Sequence, residues 1–256
     1  RRLKHGTSPE QEDNIMSLQE IAEHIDQMTV SLDDTFRFRC SQCGKCCIHR
    51  EDILLSPYDL YKIAGELQLN PIEVCKRYCE PYIGSNSRLP IVRLMPQGAV
   101  QRCPFLKNQK CSIHKAKPAV CAMFPLGRYI KVDADNYSKE GMANCQTQYL
   151  LQPIECGDSS ETHTVRSWLS DFDISSEDET FIRWHQMIAQ VGNILKKAEK
   201  MVGEKTMCMV WDTVFALLYL NYTTDKPFMP QFEQNASHTL ELLSIFEQPE
   251  GEKQHA

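Results

Sequence analysis

The densest group of reactive side chains in the sequence is a run of four cysteines within eight residues, Cys40-Ser-Gln-Cys43-Gly44-Lys-Cys46-Cys47. A Cys-x-x-Cys turn places two sulfurs on the same side of a tight loop, and Gly44 can adopt the positive φ that directs backbone N–H groups at sulfur. Neighbouring thiolates repel one another, so four of them are stable at neutral pH only if a cation or cluster takes up the charge, or if they oxidise to disulfides. The run predicts a zinc or iron site.

Further cysteines follow in proline-bearing segments. Cys103 opens Cys-Pro-Phe-Leu, Cys111 opens Cys-Ser-Ile-His, and Cys121 precedes Ala-Met-Phe-Pro, while Cys145 and Cys156 come later. Loops of this kind have backbone amides that are free to donate to sulfur. A group of eight thiols could supply two four-cysteine sites, or one iron–sulfur cluster and one structural zinc.

The adjacent pair Cys46-Cys47 bears on the number of ions. Neighbouring side chains in an extended or turn segment tend to point apart, so we expect the pair to face two centres, or two irons of one cluster. This favours more than one ion. The spacing excludes a bacterial ferredoxin, whose third and fourth cysteines are separated by three residues and followed by proline.

These motifs resemble the YkgJ-like cysteine-cluster family, which is described as a zinc- or iron-chelating domain of the CxxCxxCC type. The resemblance covers roughly residues 36–170. This sequence departs from the family pattern at His114, where an aromatic residue is frequent, and at Lys117, where arginine is frequent. The resemblance rests on Phe38-x-Cys40-x-x-Cys43-Gly-x-Cys46-Cys47, on Cys103-Pro-Phe-Leu with Cys111-x-Ile, and on Lys117-Pro-x-x-Cys121-x-x-Phe-Pro.

The resemblance implies that eight cysteines bind metal. Cys156-Gly157 before Thr164-Val165 fits the family's last cysteine better than Cys145 does, so Cys145 is the reserve. The cofactor implied is an iron–sulfur cluster, of the 4Fe–4S type, or Zn²⁺, with iron–sulfur slightly favoured. The predicted metal ligands are Cys40, Cys43, Cys46, Cys47, Cys103, Cys111, Cys121 and Cys156.

Two other functions stay open. A weaker resemblance to flagellin lysine N-methylase, an enzyme with a similar cysteine cluster, suggests a protein-modifying, methyltransferase-like enzyme. The chain has no Gly-x-Gly-x-x-Gly loop for a nucleotide or methyl donor, and no catalytic residues are assigned. The second alternative is a structural zinc module whose helices recruit a partner. A protein substrate or partner is therefore part of both alternatives.

Hydrophobic spacing predicts the elements that position the cysteines. Ser17 begins an amphipathic helix, Ser56-Pro57 and Asn70-Pro71 begin two short helices, and Ser176-x-x-Glu179 opens a long helix ending near Gly203. The prolines of residues 80–145 indicate loops and short strands. We expect a mainly α fold with a loop-rich, metal-stabilised cysteine-cluster region containing short strands. The predicted divisions are a polar N-terminus with the leading helix (1–31), a metal-binding domain (32–170), a C-terminal helical part (171–247) and a flexible tail (248–256).

Composition limits the partners. A chain of 256 residues buries a large core without disulfides, so its twelve cysteines are not needed as staples. Its net charge of −6 does not indicate a positively charged surface for nucleic acid or anionic lipid. The apolar stretch 207–222 is too short to span a membrane. We expect a cytoplasmic protein without nucleic-acid or membrane partners.

Three cysteines are expected to pack in the core. Cys75 and Cys79 lie four residues apart on one face of a predicted helix, where they could share an ion, and we expect them to face the core. Cys208 lies between two methionines in an apolar segment and is also expected to be buried.

Overall fold

The computed structural model of the chain describes residues 24–50, 53–131, 145–154 and 156–247. Of the predicted leading helix, residues 24–28 are helical, and the part that begins at Ser17 lies outside the described residues. The predicted tail at 248–256 lies outside them as well.

Helices carry most of the second half of the described chain. The helices are α1 (24–28), α2 (Pro57–Leu67), α3 (Pro71–Tyr78), α4 (Ala119–Met123), α5 (Val165–Ser170), α6 (Glu179–Met201), α7 (Glu204–Phe215) and α8 (Phe228–Leu243). A π-helix at Ala216–Leu220 continues α7, and 3₁₀ turns form at Lys45–Cys47, His114–Ala116 and Ser244–Phe246.

The strands are short and form small antiparallel sheets, with the orders β1-β9-β8, β10-β2, β3-β5-β4 and β6-β7. Helical residues outnumber strand residues, which confirms a mainly α fold with short strands; its stabilisation by metal stays a prediction. The strands are β1 (Thr29–Val30), β2 (Thr35–Arg39), β3 (Leu54–Leu55), β4 (Cys79–Ile83), β5 (Pro90–Leu94), β6 (Leu106–Lys107), β7 (Lys110–Cys111), β8 (Leu126–Lys131), β9 (Gln146–Leu151) and β10 (Asp158–Thr164).

The predicted caps explain where the helices begin. Ser56 and Asp59 form a reciprocal capping box at the start of α2, and the Asn70 side chain accepts the Glu73 N–H at the start of α3. Helix α6 begins at Glu179 because the Asp178 carboxylate, rather than Ser176, accepts the N–H of the third helical residue. It ends at Met201, two residues before Gly203, because Gly203 is the N-cap of α7.

One buried cluster joins the two halves of the chain. It combines α2, α3 and the sheet β3-β5-β4 with α6, α7, the π-helix and α8, and it includes Phe105 and Ile113 from the loops between cysteines. A smaller cluster surrounds Phe38, Tyr149 and Trp168. The predicted boundary at residue 170 stays a prediction. In the described chain, none of the helices has the length and apolar character needed to cross a membrane.

Candidate metal centre

The four-cysteine run folds as the sequence predicts around Gly44. This residue has φ 72°, and the following residues form the 3₁₀ turn Lys45–Cys47. The Lys45 backbone N–H donates to the Cys43 sulfur, and this hydrogen bond lowers the pKa of the Cys43 thiol. The positive φ at glycine therefore directs an N–H group at sulfur, which confirms the role expected for Gly44.

The two adjacent cysteines do not point apart. The Sγ atoms of Cys46 and Cys47 are 4.0 Å apart, which differs from the expectation for an extended or turn segment. The reason is the 3₁₀ turn, in which successive side chains diverge by about 120° rather than by the near 180° of a strand. Two sulfurs bound tetrahedrally to one zinc ion, with Zn–S bonds of about 2.3 Å, would be separated by about 3.8 Å. The pair can therefore bind one centre together.

Three loops bring further thiols beside this turn. The Cys103 N–H donates to the Cys47 carbonyl at 2.8 Å. Asn108 and Gln109 both have positive φ and close the β6–β7 hairpin, which holds Cys111. Helix α4 carries Cys121. Together they surround a cavity of about 290 Å³. The cysteines that line it are Cys40, Cys46, Cys47, Cys103, Cys111 and Cys121.

The other two predicted ligands lie together beside the first six. The thiols of Cys156 and Cys43 form a hydrogen bond with each other, and the Gly157 N–H also donates to Cys43. Gly157 has φ 75°, and a Cβ there would lie 2.4 Å from the Arg39 carbonyl oxygen, so only glycine fits. By contrast, Cys145 adjoins the start of β9 and is not among the described residues that line the cavity.

The charges around the cavity favour one thiolate. A hydrogen bond from the Cys47 thiol, together with the positive charges of Lys117 and Arg50, lowers the pKa of Cys46 to about 6 although burial opposes this. The same hydrogen bond raises the pKa of Cys47, which keeps its proton. The sequence pattern does not show these cation contacts, although Lys117 is noticeable as a departure from the family motif.

Burial keeps most of the other thiols protonated without metal. It raises the pKa of Cys121 to about 12 and that of Cys156 to about 11, and it also raises the pKa of Cys103 and Cys111. The negative charge of a Cys46 thiolate also raises the pKa of all four thiols, and at Cys111 the positive charge of Lys117 acts in the opposite direction. Because metals bind thiolates, occupation of this cavity must release protons.

A buried carboxylate positions Cys121, and sequence reasoning missed it. Asp59 is 4% exposed, and its Oδ1 atom accepts the Ala119 N–H at 2.9 Å, two residues before Cys121. Its other oxygen accepts the backbone N–H and hydroxyl of Ser56 at 3.0 and 2.7 Å. Asp59 thus joins the start of α2 to the start of α4. Only its capping role could have been found in the sequence.

All twelve cysteines are free thiols. Cys75 and Cys79 are buried in the core, which confirms that they pack, whereas Cys208 is exposed, so its expected burial is wrong. Among the described residues, no three His, Cys, Asp or Glu side chains are already spaced to hold one ion. The sulfurs therefore surround a shared cavity, but their spacing is not that of the ligands of a single ion.

Comparison with known proteins finds similarity in the same cysteine-containing part of the chain. Residues 39–149 match the family CxxCxxCC, described as a "Putative zinc- or iron-chelating domain", which confirms the resemblance seen in the motifs. The match contains Cys145 and ends before Cys156. An uncharacterized protein of Methanocaldococcus jannaschii is 34% identical over 90 residues, which cover 34% of this chain and 44% of that protein. The chain thus matches less than half of that relative. No solved structure matches it significantly.

Proposed function

We propose that this chain binds an iron–sulfur cluster or zinc through eight cysteines: Cys40, Cys43, Cys46, Cys47, Cys103, Cys111, Cys121 and Cys156. The observation that carries the proposal is that six of these thiols, from separate segments of the chain, line one cavity. The remaining two are hydrogen-bonded to each other, and the electrostatic influence of Cys46 reaches both of them. The matched family, described as zinc- or iron-chelating, supports the same chemistry.

The residues around the cavity fit such a group chemically. Thiolates are the ligands that both zinc and iron–sulfur clusters prefer, and Lys117 and Arg50 offset part of their negative charge. Six cysteines line this one cavity, which is more thiols than the four that a single tetrahedral zinc ion binds. We therefore favour a cluster of several metal atoms, of the 4Fe–4S type, over one zinc ion.

The two metals would give the protein different chemistry. An iron–sulfur cluster would supply electron transfer, whereas zinc in an all-cysteine site would stabilise the fold. Twelve free thiols suit a reducing compartment, and we propose the cytoplasm. A protein-modifying enzyme and a structural zinc module that recruits a protein partner stay alternatives. The first requires a methyl donor to bind, which calorimetry measures, and the second requires a colourless zinc protein.

The experiment is elemental and spectroscopic analysis of protein purified without oxygen. We expect iron, acid-labile sulfide and broad visible absorption. Cys103→Ser should lose most of the metal, whereas the matched control Cys208→Ser should keep it, because Cys208 is exposed on α7 and away from the cavity. A wild-type protein free of both metals, or equal metal content in these two variants, would refute the proposal.

A second pair of variants tests the eighth ligand. Cys156→Ser should lower metal content because Cys156 contacts Cys43 beside the cavity, whereas Cys145→Ser should not. Both variants remove one half-buried thiol, so they are matched in chemistry. The reverse result would assign the ligand to Cys145, as the extent of the family match allows.

A further inference from the structure

Positive charge is concentrated in one part of an acidic chain. The chain has 28 Lys and Arg against 34 Asp and Glu, yet residues 81–132 contain nine Lys and Arg and no Asp or Glu. Three of the nine, Arg88, Arg93 and Arg128, form ion pairs with carboxylates. The other six form no ion pair in the described part of the chain: Arg102, Lys107, Lys110, Lys115, Lys117 and Lys131.

Exposed cations of this group lie beside the four-cysteine run. The Cys103 N–H donates to the Cys47 carbonyl at 2.8 Å, and a Cβ at Gly44 would lie 3.4 Å from a methyl carbon of Leu106. The 3₁₀ turn, the segment before Cys103 and the β6–β7 hairpin therefore pack together at the cysteine cavity. We call the exposed cations of these three segments the basic face: Lys45, Arg102, Lys107 and Lys110.

The β6–β7 hairpin holds two like charges against each other. Lys107 is the antiparallel partner of Lys110, so both exposed side chains leave the hairpin on the same side. Like charges directly opposite each other destabilise a strand pair. The two lysines therefore cost stability in the isolated protein, and bound carboxylates would relieve this repulsion.

Two described carboxylates near the cavity are already paired. Asp59 is buried and accepts hydrogen bonds from Ser56 and the Ala119 N–H. Asp158 forms an ion pair with Arg39, the residue before Cys40, at 2.7 Å. Neither carboxylate neutralises the basic face. The acidic residues Glu51, Asp52 and Glu155 and those of 132–144 lie outside the described residues.

On another side the cavity is bordered by acidic residues. The Phe172 ring lies 5.1 Å from the Lys117 ammonium, and the exposed Asp171 and Asp173 are its neighbours in the chain. For this reason Lys115 and Lys117 are not included in the basic face. The positive surface is thus compact, with carboxylates at two of its borders.

We propose that the basic face binds a carboxylate-rich patch on a partner protein. Val100, two residues before Arg102, is 49% exposed, and its carbonyl accepts the His49 N–H beside the four-cysteine run. Protein interfaces combine such apolar contacts with charged residues at the rim. A long nucleic acid would extend past the compact basic face to the bordering carboxylates, which repel phosphate, whereas an acidic patch of matching size would not. The partner would lie beside the proposed metal site, whichever metal is bound there.

Fluorescence anisotropy on the full-length, metal-containing protein tests the proposal with labelled peptides. Acetylated hexaglutamate is the probe, and acetylated hexaglutamine is its uncharged control. Each surface contact between a cation and a carboxylate contributes about 2- to 5-fold in affinity, so several contacts should favour hexaglutamate by at least about 10-fold at low salt. The preference should decrease as the ionic strength rises to about 0.2 M, because salt screens exposed charges. Equal binding of the two peptides, or no binding of hexaglutamate, would overturn the proposal.

A third probe distinguishes a protein partner from nucleic acid. Oligothymidylate of 24 nucleotides is long enough to reach the carboxylates that border the basic face, so we expect it to bind more weakly than hexaglutamate. Tighter binding of oligothymidylate would assign the basic face to nucleic acid and overturn the assignment of a protein partner.

The variant Lys107→Glu separates loss of binding from loss of folding. It replaces a repulsive cross-strand pair with an attractive one, so its melting temperature should equal or exceed that of the wild type. Its affinity for hexaglutamate should fall about 4- to 25-fold, because one contact is lost and Lys110 is neutralised. Lys196→Glu is the matched control, since Lys196 is exposed on α6 and does not line the cavity. Unchanged affinity in Lys107→Glu, or equal losses in the two variants, would refute the role of the basic face. Metal content is measured in parallel, so failure of this proposal and failure of the metal proposal are separate results.

Discussion

Replacing Asp59 by alanine should weaken the protein and its metal site together. The carboxylate accepts the Ala119 N–H at 2.9 Å, the Ser56 N–H at 3.0 Å and the Ser56 hydroxyl at 2.7 Å, and it lies 3.6 Å from the Lys62 ammonium. Asp59→Ala removes all of these contacts. It also leaves the Ala119 N–H without its acceptor, two residues from Cys121.

The magnitude follows from the number of contacts. A hydrogen bond to a charged group is worth about 1.5–3 kcal/mol, a lost helix cap costs about 1 kcal/mol, and these contributions overlap because they share one side chain. We expect Asp59→Ala to lower the free energy of unfolding by about 3–5 kcal/mol, a large part of the roughly 5–15 kcal/mol of a typical domain. Asp59→Asn keeps an oxygen for Ala119 but cannot accept both bonds from Ser56, so its effect should be about half as large.

Urea unfolding followed by circular dichroism measures the stability, and metal analysis of the same samples measures the site. Metal content should fall in the order wild type, Asp59→Asn, Asp59→Ala, because the start of α4 loses its attachment to α2. Asp225→Ala is the control: its side chain is exposed, and we expect a change below about 0.5 kcal/mol. If Asp59→Ala unfolds within about 1 kcal/mol of wild type and keeps its metal, Asp59 does not position Cys121.

Three further measurements test other parts of the structure. Gly157→Ala would place a Cβ 2.4 Å from the Arg39 carbonyl oxygen, so it should lower the free energy of unfolding by at least about 2 kcal/mol and reduce metal content. Gly98→Ala is the control, because Gly98 has φ 70° but open space around it, and it should cost only about 1 kcal/mol. Equal losses of stability in the two variants would argue against the clash. Removing metal with a chelator should expose the cysteine loops to proteolysis while most helical signal remains, and unchanged cleavage would contradict this. Burial raises the pKa of Asp178, but the charge and hydrogen bond of Arg128 and the other donors outweigh burial and hold this pKa below its usual value. The stabilisation from ionised Asp178 is therefore present above about pH 4 and is lost on acidification. The difference in stability between wild type and Asp178→Asn should shrink from about pH 7 to about pH 3, and a constant difference would refute this reasoning.

Local chemistry explains why part of the fold could be predicted. The starts of α2 and α3 are encoded within four residues by a capping side chain followed by proline, and hydrophobic spacing predicts the long helix α6. The observed N-cap of α6, Asp178, lies two residues after the predicted one, Ser176, because both residue types are good caps. A local pattern cannot decide which of two neighbouring caps the tertiary structure uses.

The site was predictable in its residue types but not in its geometry. Cys-x-x-Cys and Gly44 indicate a metal-binding turn, whereas the 4.0 Å separation of Cys46 and Cys47 depends on a 3₁₀ turn that the sequence does not specify. The contact between Asp59 and the segment before Cys121 spans 60 residues, which no local pattern shows.

The arrangement of buried side chains indicates what metal contributes to the fold. Phe105 and Ile113, which are 3% and 0% exposed, anchor the loops of Cys103 and Cys111 in a core completed by α6, α7 and α8. Apolar packing therefore anchors these two loops beside their cysteines. Metal would hold these loops together, whereas the hydrophobic core would hold the helices. Loss of metal should consequently loosen the cysteine loops before the helices unfold, which is why proteolysis, rather than total helicity, is the sensitive measurement.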